Sequence, residues 1–202
     1  MKRKKFRWRK KTRGFKRHLR DHQQRAATPV KLIDFQTLAQ YHYESEWLGL
    51  APWRVSDKPP LPIRRLWVAH LIAGFFSWQQ SLQDYPDDYF LAVRIKEPDF
   101  ADSRLNVGIK EWKTRYDNAY SEPEEMLPLP QEYRDIPGVN ALHWTTHRQT
   151  YHCSLEDFQY DQQMGMKVRH YWPYEDDDGS PMVLVQIGWV WVGQAPAVAL
   201  GV

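Results

Sequence analysis

His143, His147, His152 and Cys153 sit close together in the chain. Imidazoles and a thiolate can begin a zinc site, and imidazoles can act as acid or base near neutrality. In an extended strand His143, His147 and Cys153 share one face and His152 points the other way. Zinc ligands usually come as paired short spacings, yet the chain has a single cysteine and no CxxC. These side chains therefore read as residues of a sheet face, with no metal. Glu175-Asp176-Asp177-Asp178-Gly179 has the charge of a cation loop. It lacks the alternating ligands and the distal glutamate of an EF-hand, and reads as an acidic hairpin turn. His18 and His22 stand one helical turn apart among cations that oppose a metal, so they read as a solvated face. Cys153 has no nucleophile signature around it, and Gly108 and Gly165 stand alone, with no phosphate-cradling glycine loop. No pair of acids is singled out for glycoside chemistry. The chain reads as a binding protein that needs no cofactor, not as an enzyme.

Charge is the sharper signal. Between Lys2 and Arg25 there are 13 Lys/Arg and one acid, Asp21, out of 28 Lys/Arg and 25 Asp/Glu in all 202 residues. The formal charge of +3 thus divides into +12 on this stretch and −9 on the remainder. Arg3, Lys4, Lys5, Arg7, Arg9, Lys10, Lys11, Arg13, Lys16, Arg17 and Arg20 interleave with Phe6, Trp8 and Phe15. Cations meet phosphates, and rings or guanidinium planes stack on bases, so the pattern suits a nucleic-acid arm. Like charges at helical spacing repel, so the free arm is expected to be disordered or partly helical until a polyanion cancels the repulsion. The alternative is a solvated tail folded back on the acidic body. Exposed acids there, Asp84, Asp87, Asp88, Glu124, Glu125, Asp176, Asp177 and Asp178, could meet a basic partner.

The elements that must carry these groups follow from periodicity and punctuation. Thr28-Pro29 separates a basic arm (1–27) from a single domain (28–193) and a small apolar tail (194–202). Residues 31–46 read as an amphipathic helix through Leu32, Phe35 and Leu38. Five prolines and glycines make 49–62 a loop. Residues 63–83 read as a helix apolar nearly all round, hence central; Gly74 within it permits close packing or a kink. Strands are expected over 89–96, 104–112, 141–153, 166–174 and 182–192, the last two forming a hairpin with a loop of about seven residues. Residues 113–120 are ambiguous, and four prolines make 121–138 a loop. Residues 155–163 form a short helix or a loop, with Ser154 as candidate N-cap and Asp157 three residues on. Helices first and strands later argue for an α+β fold, two helices on one face of a mostly antiparallel sheet. The apolar run 66–78 is too short to span a bilayer, no secretory h-region follows the basic start, and the lone Cys153 favours a reducing compartment. Those features give a cytoplasmic expectation, with no membrane partner.

Several stretches together resemble a family of uncharacterised bacterial soluble proteins, a domain of unknown function. They are Arg13-Gly14-Phe15-Lys16-Arg17, Trp53 and Leu61-Pro62, the run from Ala92 to Phe100 with Ser103, Leu127-Pro128-Leu129 with Arg134, and Trp189-Val190-Trp191-Val192-Gly193. The resemblance implies an immunity protein, which neutralises a toxin domain by occluding it, and brings no catalytic residues with it. The primary expectation from sequence is therefore a protein toxin as partner, met by the acidic body. The alternative is RNA, ribosome or DNA binding through the basic arm. A nucleic-acid enzyme using His143, His147 or His152 ranks third.

Overall fold

The computed structural model describes residues 11–50, 58–84, 89–110 and 127–196, with side chains from Lys16 onward. Its centre is helix α3 (Leu61–Ser81). Pro62 suits the helix's first turn, where an amide hydrogen has no intrahelical acceptor. From Leu66 to Ser81 the helix has no Asp, Glu, Lys or Arg. It can be apolar all round because it is covered on two sides. Ile63, Leu71, Ile72 and Phe75 belong to one core with Val93, Ile95, Leu105, Val107 and Trp191 of the sheet. The opposite side receives helix α1 (Lys11–Ala26).

The basic stretch is therefore not a free arm from Lys11 onward. Leu19 and Ala26 pack against the core, and His22 is fully buried. Its Nδ1 accepts a hydrogen bond from Trp67 Nε1 (3.0 Å), and His70 Nδ1 lies 3.1 Å from the Ala26 carbonyl. Expected on a solvated face, the His22 ring instead serves as the polar anchor of the docked helix. An apolar replacement would leave the buried Trp67 N–H unsatisfied, at a cost of about 1–3 kcal/mol.

The link from α1 crosses α3 at Gly74. A Cβ there would fall 2.5 Å from Val30 Cγ2, so this glycine marks close packing. Trp78 Nε1 donates to the Lys31 carbonyl (2.6 Å) beyond it. The single helix expected over 31–46 is two elements, α2 (Phe35–Tyr41) and strand β1 (Tyr43–Trp47). Asp34 starts α2 by accepting from the amides of Gln36 and Thr37. The Thr37 hydroxyl, first among the causes, and these amides hold its carboxyl below the usual range. His42, with φ of 61°, stops the helix in the left-handed region. Tyr-Glu-Ser-Glu-Trp then alternates as an edge strand.

The sheet has six strands among the described residues, every pair antiparallel. Strands β2 (Tyr89–Glu97), β3 (Arg104–Ile109), β4 (His143–Ser154), β5 (His170–Glu175) and β6 (Pro181–Gln194) join β1 in the order β1-β3-β2-β6-β4. Strand β5 also pairs with β6. The α+β expectation holds at this level. The detail differs: α3 covers the sheet, α1 covers α3, and α2 sits beside β1.

The long strand β6 ties two parts together. Trp189–Gly193 pair with β2, whereas Pro181–Gln186 pair with β5 on the same edge. Strand β4 follows β6 along its other edge, with an irregularity opposite Gln149/Thr150. Around the β5 half lies a second core of Phe158, Val183 and Val185, covered by helix α4 (Leu155–Gln163). Ser154 is its N-cap, accepting from the Asp157 amide (3.0 Å). Residues 127–142 are well packed through Leu129, Tyr133, Ile136 and Val139.

Candidate nucleic-acid interface

Helix α1 is placed by its buried stripe. Leu19, His22 and Ala26 turn inward, which leaves Lys16, Arg17 and Arg20 exposed on the outer side. Lys11 and Arg13 are in the same helix. Arg3, Lys4, Lys5, Arg7, Arg9 and Lys10 lie outside the described residues. Arg25 turns back and donates to the Gly49 carbonyl. Successive contacts along α1 meet successive turns of α3, His22 at Trp67 and Ala26 at His70. The two helices thus run in the same direction. Leu19 shares an open groove of about 330 Å³ with Pro62 of the first turn of α3. With this register Leu19 lies beside the first turn of α3, so only the first turn and a half of α1, about 8 Å at 1.5 Å per residue, extends past the start of α3. That end of α3 is where Arg64 meets Glu97, the last residue of β2, next to the β5 half of the sheet.

Among the described residues the acids do not gather. Asp84 follows α3 and precedes β2, whose start lies beyond the Gly193 end of β6. Asp176, Asp177 and Asp178 sit in the five-residue turn at the Pro181 end. At ~3.3 Å per residue β6 is about 45 Å long, so these two groups are at opposite ends of the molecule. Asp176 Oδ1 accepts from the amides of Asp178 (3.3 Å) and Ser180 (2.9 Å), which gives the carboxylate a structural role in the turn. Asp178 is held below the usual carboxylate range, chiefly by Ser180. Asp87, Asp88, Glu124 and Glu125 lie outside the described residues.

The histidine segment spreads along β4. His147 Nε2 lies 3.1 Å from Thr145 Oγ1, and His152 Nδ1 lies 2.8 Å from Tyr174 Oη. Burial first, then Asp161 and Asp157, pushes the Cys153 thiol up, which disfavours a nucleophilic thiolate. Burial likewise pushes the Tyr151 phenol up to about 12. Among the described residues no three His, Cys, Asp or Glu side chains are grouped to hold a metal ion.

Two polar clusters escaped the sequence reading. On the α3 side, Glu97 accepts from Lys58 Nζ (2.7 Å), Tyr133 Oη (2.7 Å) and Arg64 Nη1. Arg64 Nε donates to the Pro59 carbonyl (3.0 Å). On the other sheet face Arg94 and Asn106 are buried. With its amide oxygen toward Arg94, Asn106 accepts from Arg94 Nε (3.0 Å) and donates to Ser45 Oγ and Tyr43 Oη. Lys96 pairs with Asp102, and Gln149 Nε2 donates to Asp99 Oδ2 (2.7 Å). Burial holds the Asp99 carboxyl above its usual range. The signal available in sequence was the run of charged residues Arg94, Lys96 and Glu97 at the end of the apolar strand β2.

Among the described residues, no helix is long and apolar enough to cross a membrane. No family model matches the chain, and no curated protein or solved structure matches it either.

Proposed function

We propose that this protein binds nucleic acid along the outer face of α1. The observation that carries the reading is the docking of that helix: with Leu19, His22 and Ala26 turned in, Lys16, Arg17 and Arg20 stand exposed together on the outside. Docking also offsets the mutual repulsion of these cations, so a basic surface is held in place before the polyanion arrives. Phosphates that neutralise it release counterions, and affinity then depends steeply on salt.

Exchanging Lys16, Arg17 and Arg20 for glutamine removes three cations from exposed positions and leaves the buried stripe intact. The slope of log affinity against log salt is expected to shrink by about 2 to 3, with unchanged far-ultraviolet circular dichroism. An unchanged slope would place the binding surface elsewhere.

The toxin-neutralising reading is supported by the exposed acids Asp177 and Asp178 at the hairpin tip, of which Asp178 is braced by the Ser180 amide. Copurification of the native protein before and after nuclease treatment separates the two readings. Nucleic acid that disappears with nuclease favours the first. A protein that stays bound, and releases when Asp177 and Asp178 are exchanged for asparagine, favours the second.

A further inference from the structure

The two parts of the sheet are covered on opposite sides. Helix α3 lies over the face that carries Val93, Ile95 and Trp191. Following that face along β4 and β6 into the β5 half leads to Arg148, Thr150 and His152, and to Leu184 and Met182. There α4 lies on the reverse side, against Val183 and Val185. Among the described residues, the continuation of the α3 face is thus left without a helix. His170 and Tyr174 of β5 are exposed on it and Trp172 is half-buried.

These side chains form a connected aromatic surface. The Arg148 guanidinium lies over the Trp172 ring, 5.1 Å from its centroid. His170 and Trp172 have ring centroids 6.0 Å apart at 37°. His152 meets Tyr174 edge-on at 5.7 Å, and Nδ1 to Oη contact fixes the two rings. The paired positions on this face are Arg148, Thr150 and His152 of β4, His170, Trp172 and Tyr174 of β5, and Met182, Leu184 and Gln186 of β6. None is acidic, and Lys167 and Arg169 lead into β5. The Asp176–Asp178 turn bounds the surface at its far end.

We infer that this face is a stacking platform for an unpaired segment of RNA. The inference rests on the nucleic-acid reading of α1 and specifies which nucleic acid. Exposed rings with a guanidinium among them stack splayed bases, a feature of single-strand recognition, whereas duplexes hide those base faces. The Tyr174 hydroxyl, the Thr150 hydroxyl and the His152 imidazole sit beside the rings, as donors and acceptors for a ribose 2′-hydroxyl. Charge does not oppose a phosphate backbone, since the paired positions of this face include Arg148 and no carboxylate. Position is compatible with it too: α1 runs alongside α3 with its start toward this same end, on the same side of the sheet. One strand could lay its phosphates on Lys16, Arg17 and Arg20 and its bases on Trp172 and Tyr174.

The test uses the full-length protein with a fluorescent oligouridylate, an oligodeoxythymidylate of equal length, and duplex RNA. The oligouridylate is expected to bind tightest. Trp172→Ala and Tyr174→Ala should each weaken it by about 5- to 150-fold, from the ~1–3 kcal/mol that each base–ring stack contributes, and leave duplex binding unchanged. Trp172→Phe, which keeps a ring, should retain most of the affinity; loss in both Trp172 variants would mean a structural role and overturn the platform. Wild-type affinity in Trp172→Ala and Tyr174→Ala, together with loss in the Lys16/Arg17/Arg20 variant, would overturn the platform and leave the α1 reading standing. Deoxy binding as tight as ribo binding would overturn the RNA assignment. Failure of the wild type to bind any of the three probes would remove the α1 reading as well.

Discussion

Gly188→Ala destabilises the protein by at least about 3 kcal/mol, at the upper end of overpacking costs. A Cβ at this position would lie 1.9 Å from the Glu97 carbonyl oxygen and 2.5 Å from Pro98 Cδ. The nearest obstacle is backbone, which cannot swing aside as a flexible side chain could. Gly188 pairs with Gln149 just before the irregularity in the β4–β6 ladder, and β2 reaches its last residue against it. A new methyl group must therefore push apart the place where three strands meet. Urea unfolding of the purified variant measures the effect. A loss below about 1 kcal/mol would show that β2 can retreat without cost to the ladder.

Glu97→Ala costs about 3–5 kcal/mol, as removal of one member of a buried ion pair does. Its carboxylate side chain is 14% exposed and that of Arg64 is 7% exposed, so deletion leaves a guanidinium in the interior with the Tyr133 hydroxyl and the more distant Glu132 (3.6 Å). The same cluster sets a response to alkaline pH. Burial, then the neighbouring Glu97 charge, holds the Tyr133 phenol well above the usual tyrosine range. In the unfolded chain the phenol ionises near pH ~10. Folding thus favours the protonated phenol. The associated stability is complete below that pH and is lost as pH rises above it. Wild-type stability should fall more steeply above pH ~10 than that of Tyr133→Phe. Parallel curves for the two proteins in urea titrations across that range would show that Tyr133 is free to ionise in the folded state.

Elements with a strong period and clear punctuation were legible in the residues. The apolar run around Leu66 to Trp78 had to be a central helix, and the alternation of 89–96 had to be a strand; both are found, as α3 and β2. Residues 155–163, open between helix and loop, are a helix, and Ser154, the candidate N-cap, caps it. The errors arose where a tertiary partner changed the meaning of a local pattern. The apolar spacing before them carries residues 43–46 into the expected helix, yet β3 offers an edge, and Tyr43 and Ser45 find Asn106. The basic stretch, expected to be disordered or partly helical when free or else folded back on the body, is from Lys11 a helix docked on α3. The support came from Trp67 and His70, some 45 residues away, and no local rule couples those positions. The candidate platform was hidden for a related reason. Arg148, His152, Trp172 and Tyr174 are contributed by two strands that never touch each other in the ladder and meet only across β6. Read singly, they were aromatic residues in separate strands.

Strand β6 runs unbroken from one hydrophobic centre to the other. Its later half is fastened by β2 and α3, and its earlier half by β5 and α4. Opening of the smaller half need not breach the larger one, because their apolar contacts are separate. Strands β4 and β6 both run through the two halves, and separate opening with a boundary near Ile187 is the expected outcome that amide exchange would check. The end that would receive bases can breathe while the end that anchors α1 stays shut.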